Sequence, residues 1–179
     1  MTEQGQPPIQ VLFDENKIAE RVNNLAAELA SKDLQSLLVV PILKGSFIFA
    51  ADLLRAMHSH GLAPEVEFLH LSSSYGDNLT STGTIQVLRD VEGDVSGRDV
   101  LLIDDILESG RTLAFAKDLL QGRGARSVSV IALLDKPGQR KADIEADYVG
   151  FECPDRFVVG YGMDARHAWR QLPFIGCLD

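Results

Sequence analysis

Apolar residues recur along the chain at two spacings, and the switch between them marks out alternating elements. Ile18, Val22, Leu25, Ala26 and Leu29 fall three and four residues apart, the stripe of an amphipathic helix that Asp14 or Glu15 would open. Residues 36–43 are then apolar almost without a break, as in a strand covered on both faces. Lys44, Gly45 and Ser46 turn the chain into a second predicted helix carrying Phe47, Phe49, Ala50, Leu53, Leu54 and Met57, with Gly61 as its stop. Further strands are predicted over residues 66–71, 84–88, 99–103, 127–134 and 148–151, with a short edge strand over 157–161. A third helix follows residues 99–103 and runs through Leu113 to Leu120. Two stretches lack such a pattern. Residues 1–10 read as a loose tail, and residues 72–83 form a small, polar loop long enough to suggest a lid.

Strands alternating with helices predict an α/β fold, a mostly parallel sheet flanked by helices and built from right-handed β-α-β units. Ligands of such sheets bind outside the carboxyl ends of the strands. That rule singles out Lys44-Gly45, Asp104-Asp105 and Asp135-Lys136, each just after a buried strand.

Composition narrows the possibilities. At 179 residues, with no repeat or linker, the chain reads as one domain with a full hydrophobic core. A formal charge of −9 argues against a protein whose main task is gripping nucleic acid, which needs a cationic surface. The same acidity means that any site for an anion is local, made of backbone amides, a few Lys or Arg, or a metal. No basic segment followed by an apolar one opens the sequence, and no apolar run is long enough to span a bilayer, so a cytoplasmic protein without membrane contact is expected. Cys153 and Cys177 have neither metal-site nor disulfide-framework spacing, and His58, His60, His70 and His167 lack ligand spacing and read as structural or surface residues.

Residues 100–113 carry the chemistry. Four apolar residues lead into Asp104 and Asp105, acceptors suited to the two hydroxyls of a ribose or to a hard cation. Glu108, Ser109, Gly110, Arg111 and Thr112 then open a helix, offering successive backbone N–H groups and hydroxyl donors as a phosphate cradle. Each half alone suits a plain strand end or helix cap. Together, behind a buried strand, they describe a site for ribose 5-phosphate. The P-loop pattern Gly-x-x-x-x-Gly-Lys-Ser/Thr is absent.

Residues 101–113 resemble the phosphoribosyl-pyrophosphate signature of type I phosphoribosyltransferases. From about residue 9 onward the chain is similar to the hypoxanthine-guanine phosphoribosyltransferase family. The resemblance implies a core of about 35–150 with a small hood from about 9–34 and 151–179. It places Asp104 and Asp105 on the ribose and, with Asp164, near Mg²⁺, and puts Ser109 to Thr112 on the 5′-phosphate. Lys44 and Gly45 match a pyrophosphate-binding loop whose Leu43–Lys44 peptide is cis in the family, and Arg140 and Arg170 match two further pyrophosphate contacts. Ser74 and Tyr75 fall in the family's closing loop. Lys136 corresponds to the lysine that reads purine O6, Phe157 to the ring that stacks on the base, and Val158 to the residue whose backbone meets its edge. A lysine donates and never accepts, which favours a 6-oxo over a 6-amino purine. Glu108 stands where the family has an aspartate assigned to taking the N7 proton.

The implied reaction is Mg²⁺-dependent purine salvage, joining a 6-oxopurine to phosphoribosyl pyrophosphate to give IMP or GMP, in a homodimer or homotetramer. A regulatory RNA-binding protein on the same fold is the rival. It would need a basic surface and a different carboxyl-terminal segment, and this chain is acidic.

Overall fold

The computed structural model of the chain describes residues 9–73 and 85–178. Its elements are β1 (Ile9–Phe13), α1 (Glu15–Ala30), β2 (Leu38–Leu43), α2 (Phe47–Ser59), β3 (Glu65–Val66), β4 (Leu69–Ser73), β5 (Ile85–Arg89), β6 (Asp99–Leu107), α3 (Arg111–Gly122), β7 (Ser127–Asp135), β8 (Tyr148–Glu152), β9 (Val158–Val159) and β10 (Ile175–Leu178).

The main sheet has the order β5-β4-β2-β6-β7-β8, with β3 also on β2. All its pairs are parallel except β5, which runs antiparallel to β4 at one edge. Alternation along the strands divides the core in two. Leu38, Val40, Val100, Leu102, Val128 and Val130 pack with Leu113, Ala116 and Leu120 of α3. Val39, Leu101, Ile103, Ile131 and Leu133 pack on the other face with α1 and α2. Both faces are therefore covered, as the unbroken apolar run of β2 predicts.

α1 buries Ile18, Val22, Leu25, Ala26 and Leu29, the stripe read from the sequence. Asp14 caps it, its Oδ1 accepting from the Lys17 N–H at 2.9 Å, a contact typically worth about 1 kcal/mol. Arg21 on the same helix donates to the Val149 and Gly150 carbonyls of β8.

A second, antiparallel sheet, β1-β10-β9, joins the two ends of the described chain. It lies against the core through Phe13, whose ring stacks on Phe151 of β8 with centroids 4.3 Å apart.

Four expectations need correction. Ile9 and Gln10 belong to β1 and not to a loose tail, because Cys177 and Leu178 pair with them. The strand expected over 66–71 is two short ones, β3 and β4, both paired to β2. The strand expected to stop at Ile103 continues to Leu107, since β7 stays in register with it as far as Asp135. β10 has no counterpart among the predicted strands. Residues 74–84, with the predicted contacts Ser74 and Tyr75, lie outside the described residues. Among the described residues no helix is long and apolar enough to cross a membrane.

Candidate active site

Three strand ends and the segment after β9 supply the site. At the end of β2 the Leu43–Lys44 peptide is cis. Lys44 is exposed, and its carbonyl accepts from the Phe47 N–H at 3.2 Å as α2 begins. The buried Ser46 hydroxyl donates back to the Ile42 carbonyl at 2.6 Å and fixes the turn from beneath. Gly45 has no room for a side chain. A Cβ there would fall 1.7 Å from Asp105 Oδ2, so the carboxylate of β6 lies directly against the β2 turn.

Asp104 and Asp105 sit within β6, three and two residues before its last, Leu107. Asp104 is only 9% exposed, and its Oδ1 accepts from the Asp105 N–H at 3.0 Å. Burial, and then the charge of Asp105, push its carboxyl well above the usual carboxylate range. Burial raises Asp105 as well, although hydrogen bonds and the Arg170 guanidinium work against the shift.

An open cleft of about 670 Å³ is lined by Lys44, Gly45, Asp105, Asp164 and Arg170. Arg170 Nη2 meets Asp164 Oδ1 at 2.6 Å, and its Nη1 donates to the Gly162 carbonyl at 2.6 Å. His70 and His167, which lack ligand spacing and read from the sequence as structural or surface residues, also line the cleft. The available signal was position, since His70 lies on β4, whose end faces the same cleft. Among the described residues no three His, Cys, Asp or Glu side chains cluster closely enough to hold a metal alone. Two carboxylates on one open cleft do suit Mg²⁺, which takes one or two from a protein and fills its shell with water and phosphate oxygens.

Past β6 the chain forms the predicted turn into α3. Gly110 takes φ +77, and a Cβ there would meet Ile144 Cγ2 at 2.6 Å. Ser109, Arg111 and Thr112 surround it at the helix N-terminus, where free N–H groups favour an anion. Arg140 does not join the Lys44–Arg170 cleft lining. It braces this turn, with Nη1 donating to the Glu108 carbonyl at 2.8 Å and Nη2 paired with Asp135. The Lys141 and Ala142 amides donate to the Ser109 carbonyl at 2.9 and 3.0 Å.

The last group faces the end of β7. Lys136 is 6% exposed, and its Nζ donates to the Arg156 carbonyl at 2.8 Å and lies 3.4 Å from Glu108 Oε1. Glu108 is half exposed. Phe157, next to the carbonyl that holds Lys136, leaves 58% of its surface open, whereas Val158 is buried in β9. A wide-open aromatic ring beside a buried ammonium is poor packing and a good platform for a flat, carbonyl-bearing ring.

Residues 10–166 match the family described as phosphoribosyl transferase domain. The hypoxanthine-guanine phosphoribosyltransferase of Bacillus subtilis is 44% identical over 170 residues, covering 94% of this chain and 92% of that one. The crystal structure of a hypoxanthine phosphoribosyltransferase from Staphylococcus aureus superposes with a TM-score of 0.87 at 44% identity, over 95% of this chain and 91% of that one. The hypoxanthine phosphoribosyl transferase of Trypanosoma cruzi gives 0.90 at 33% identity, over 99% and 95%. With its fold and nearly its whole length in common with these enzymes, the chain belongs to the hypoxanthine-guanine phosphoribosyltransferase family.

Proposed function

We propose that the chain transfers the 5-phosphoribosyl group from phosphoribosyl pyrophosphate to N9 of hypoxanthine, and of guanine, releasing IMP or GMP and pyrophosphate. One observation carries the reading best. The Asp105 carboxylate lies against Gly45, so a ribose held by Asp104 and Asp105 has the anion cleft at its C1′ side and the α3 turn within reach of its 5′-phosphate.

Lys44, the Gly45 amide and Arg170 bind the pyrophosphate, and Asp104, Asp105 and Asp164 would hold Mg²⁺ there. When bound, Mg²⁺ supplies positive charge that this acidic protein lacks. Ser109 to Thr112 bind the 5′-phosphate, with Arg140 keeping their turn in place. Phe157 stacks on the purine, Val158 meets its edge through the backbone, and Lys136 donates to O6. As the C1′–oxygen bond to pyrophosphate breaks and the C1′–N9 bond forms, the base loses its N7 proton to Glu108. Catalysis then rests on placement and on charges set in advance of the reaction. In this reading the protein is cytoplasmic and works as a homodimer or homotetramer.

A steady-state assay with phosphoribosyl pyrophosphate, Mg²⁺ and each of hypoxanthine, guanine, xanthine, adenine and uracil tests the proposal. Turnover of the 6-oxopurines, poor use of adenine and loss of activity with EDTA are expected. A rate on adenine equal to that on hypoxanthine would refute Lys136 as the base reader, and full turnover without metal would refute the carboxylate site.

A further inference from the structure

Tyr161 occupies the middle of three successive residues in the left-handed region. Gly160 has φ +98, Tyr161 φ +49 and Gly162 φ +100, and the middle value is one a tyrosine rarely adopts. Something around it must hold it there. A Cβ on Gly162 would sit 2.3 Å from the Gly45 carbonyl oxygen, so this backbone lies directly on the β2–α2 turn. The Tyr161 N–H donates to the Leu172 carbonyl at 2.9 Å and the Gly162 N–H to the Arg170 carbonyl at 3.0 Å. Those two bonds tie off the loop that presents Asp164 and Arg170.

The side chain of Tyr161 leaves in another direction. It is 6% exposed, and its hydroxyl donates to Asp52 Oδ2 at 2.5 Å. Asp52 lies on α2, the helix that starts directly after Lys44 and Gly45. Burial, and then the bond to Asp52, push the phenol pKa far up, so it remains a donor. Both side chains face a separate groove between α1 and α2, away from the anion cleft.

We propose that the Tyr161–Asp52 hydrogen bond is a positioning contact that sets the spacing between the two walls of the cleft. Lys44 and Gly45 on one wall, Asp164 and Arg170 on the other, then close on the same pyrophosphate. The proposal rests on the pyrophosphate reading of that cleft. Charge complementarity at the site needs both walls in register, and a displacement of well under 1 Å already weakens charge-assisted contacts.

Tyr161→Phe removes the hydroxyl and keeps the ring, Asp52→Ala removes the acceptor, and Asp52→Asn retains an acceptor oxygen. Phosphoribosyl pyrophosphate KM, and the Kd for inorganic pyrophosphate with Mg²⁺, should rise about five- to tenfold in Tyr161→Phe and in Asp52→Ala, as expected for one lost buried hydrogen bond. Hypoxanthine KM should stay within about twofold, the double variant Tyr161→Phe/Asp52→Ala should be no worse than either single one, and Asp52→Asn should stay near wild type. Variants that melt lower while both KM values hold, or rise together, would reduce the contact to fold stability and overturn the proposal. Wild-type protein that fails to bind pyrophosphate would overturn the cleft reading and this proposal with it. Wild-type binding that the substitutions leave unchanged would remove the positioning role alone.

Discussion

A glutamate at position 108 carries its carboxylate one methylene farther from the backbone than an aspartate would, and here that reach is directed at Lys136, 3.4 Å away. The two residues are 28 positions apart, and nothing in the local pattern says that they meet. They meet because β6 and β7 run in register to their last pair, Leu107 with Asp135, which leaves Glu108 and Lys136 side by side past the carboxyl ends of these two strands. Their residue types were legible in the sequence; their contact depends on a ladder that only the fold supplies. If Glu108 accepts the N7 proton, Glu108→Gln should lower kcat by about 10²- to 10⁴-fold, the usual worth of a general base. Glu108→Asp should keep substantial activity, and melting temperatures should barely change for a half-exposed side chain. Near-wild-type kcat in Glu108→Gln across the pH range would leave the residue a role in the turn alone.

At the scale of elements, the stripe of α1 and the double-sided burial of β2, β6 and β7 were written in hydrophobic spacing, because each such element meets its partners through a repeating face. Polar strand ends follow no such rule. Asp104 and Asp105 read as residues past a strand, yet they stay within β6 because the backbone ladder continues regardless of side-chain polarity. The α3 turn shows what an element's start contributes. Thr112→Val keeps the shape of the side chain and removes its hydroxyl, so IMP affinity should fall by about 1–3 kcal/mol, the range for a bond to a charged group. Isothermal titration with IMP reads this, and an unchanged Kd would move the 5′-phosphate elsewhere. At the other end of β6, Asp99 accepts from the Gln35 N–H at 2.7 Å, from the Ser127 hydroxyl at 2.6 Å and from Arg126. Burial raises its carboxyl, but these bonds outweigh burial and hold it below the usual range. A lowered folded pKa contributes stability that is complete above the unfolded value of 3.8 and is lost as pH falls through the folded one. Asp99→Asn should therefore melt lower than wild type at neutral pH, with the gap closing below about pH 4 as the native carboxylate is protonated. Thermal melts at several pH values measure it, and a gap independent of pH would deny the charge its role.

Across the whole molecule, the two ends of the described chain close on each other. β1 and β10 pair across a separation of more than 160 residues, and β10 carries β9 on its far side, so Phe157 and Val158, proposed above to meet the purine, hang from the chain ends. The β1–β10 pairing is the part of the fold that sequence spacing did not disclose. A strand of four or five residues shows its partner only when the partner is known, and these partners are as distant as the chain allows. The residues proposed to hold the sugar and its phosphate, by contrast, sit on the main sheet and lie consecutively in one stretch that could be read at sight. The two halves should therefore be separable by a substitution in the hood. Gly176 is suited to this, because a Cβ there would meet Ile9 Cγ2 at 2.4 Å and the Gln10 carbonyl oxygen at 2.9 Å, which forces β1 away from β10. Gly176→Val should lower the melting temperature by roughly 3–10 °C, as overpacking of a buried position does in a domain of this size. Gly176 also pairs with Val159, and the Leu178 N–H donates to the Phe157 carbonyl at 3.3 Å, so the disturbance passes directly to Phe157 and β9. Hypoxanthine KM should then rise several-fold, while the affinity for ribose 5-phosphate, held by Asp104, Asp105 and the α3 turn, should stay as in wild type. Titrating ribose 5-phosphate and IMP into the same variant separates the outcomes. IMP weakened alone places the base on the hood, whereas equal loss for both ligands would mean that hood and main sheet respond as one unit.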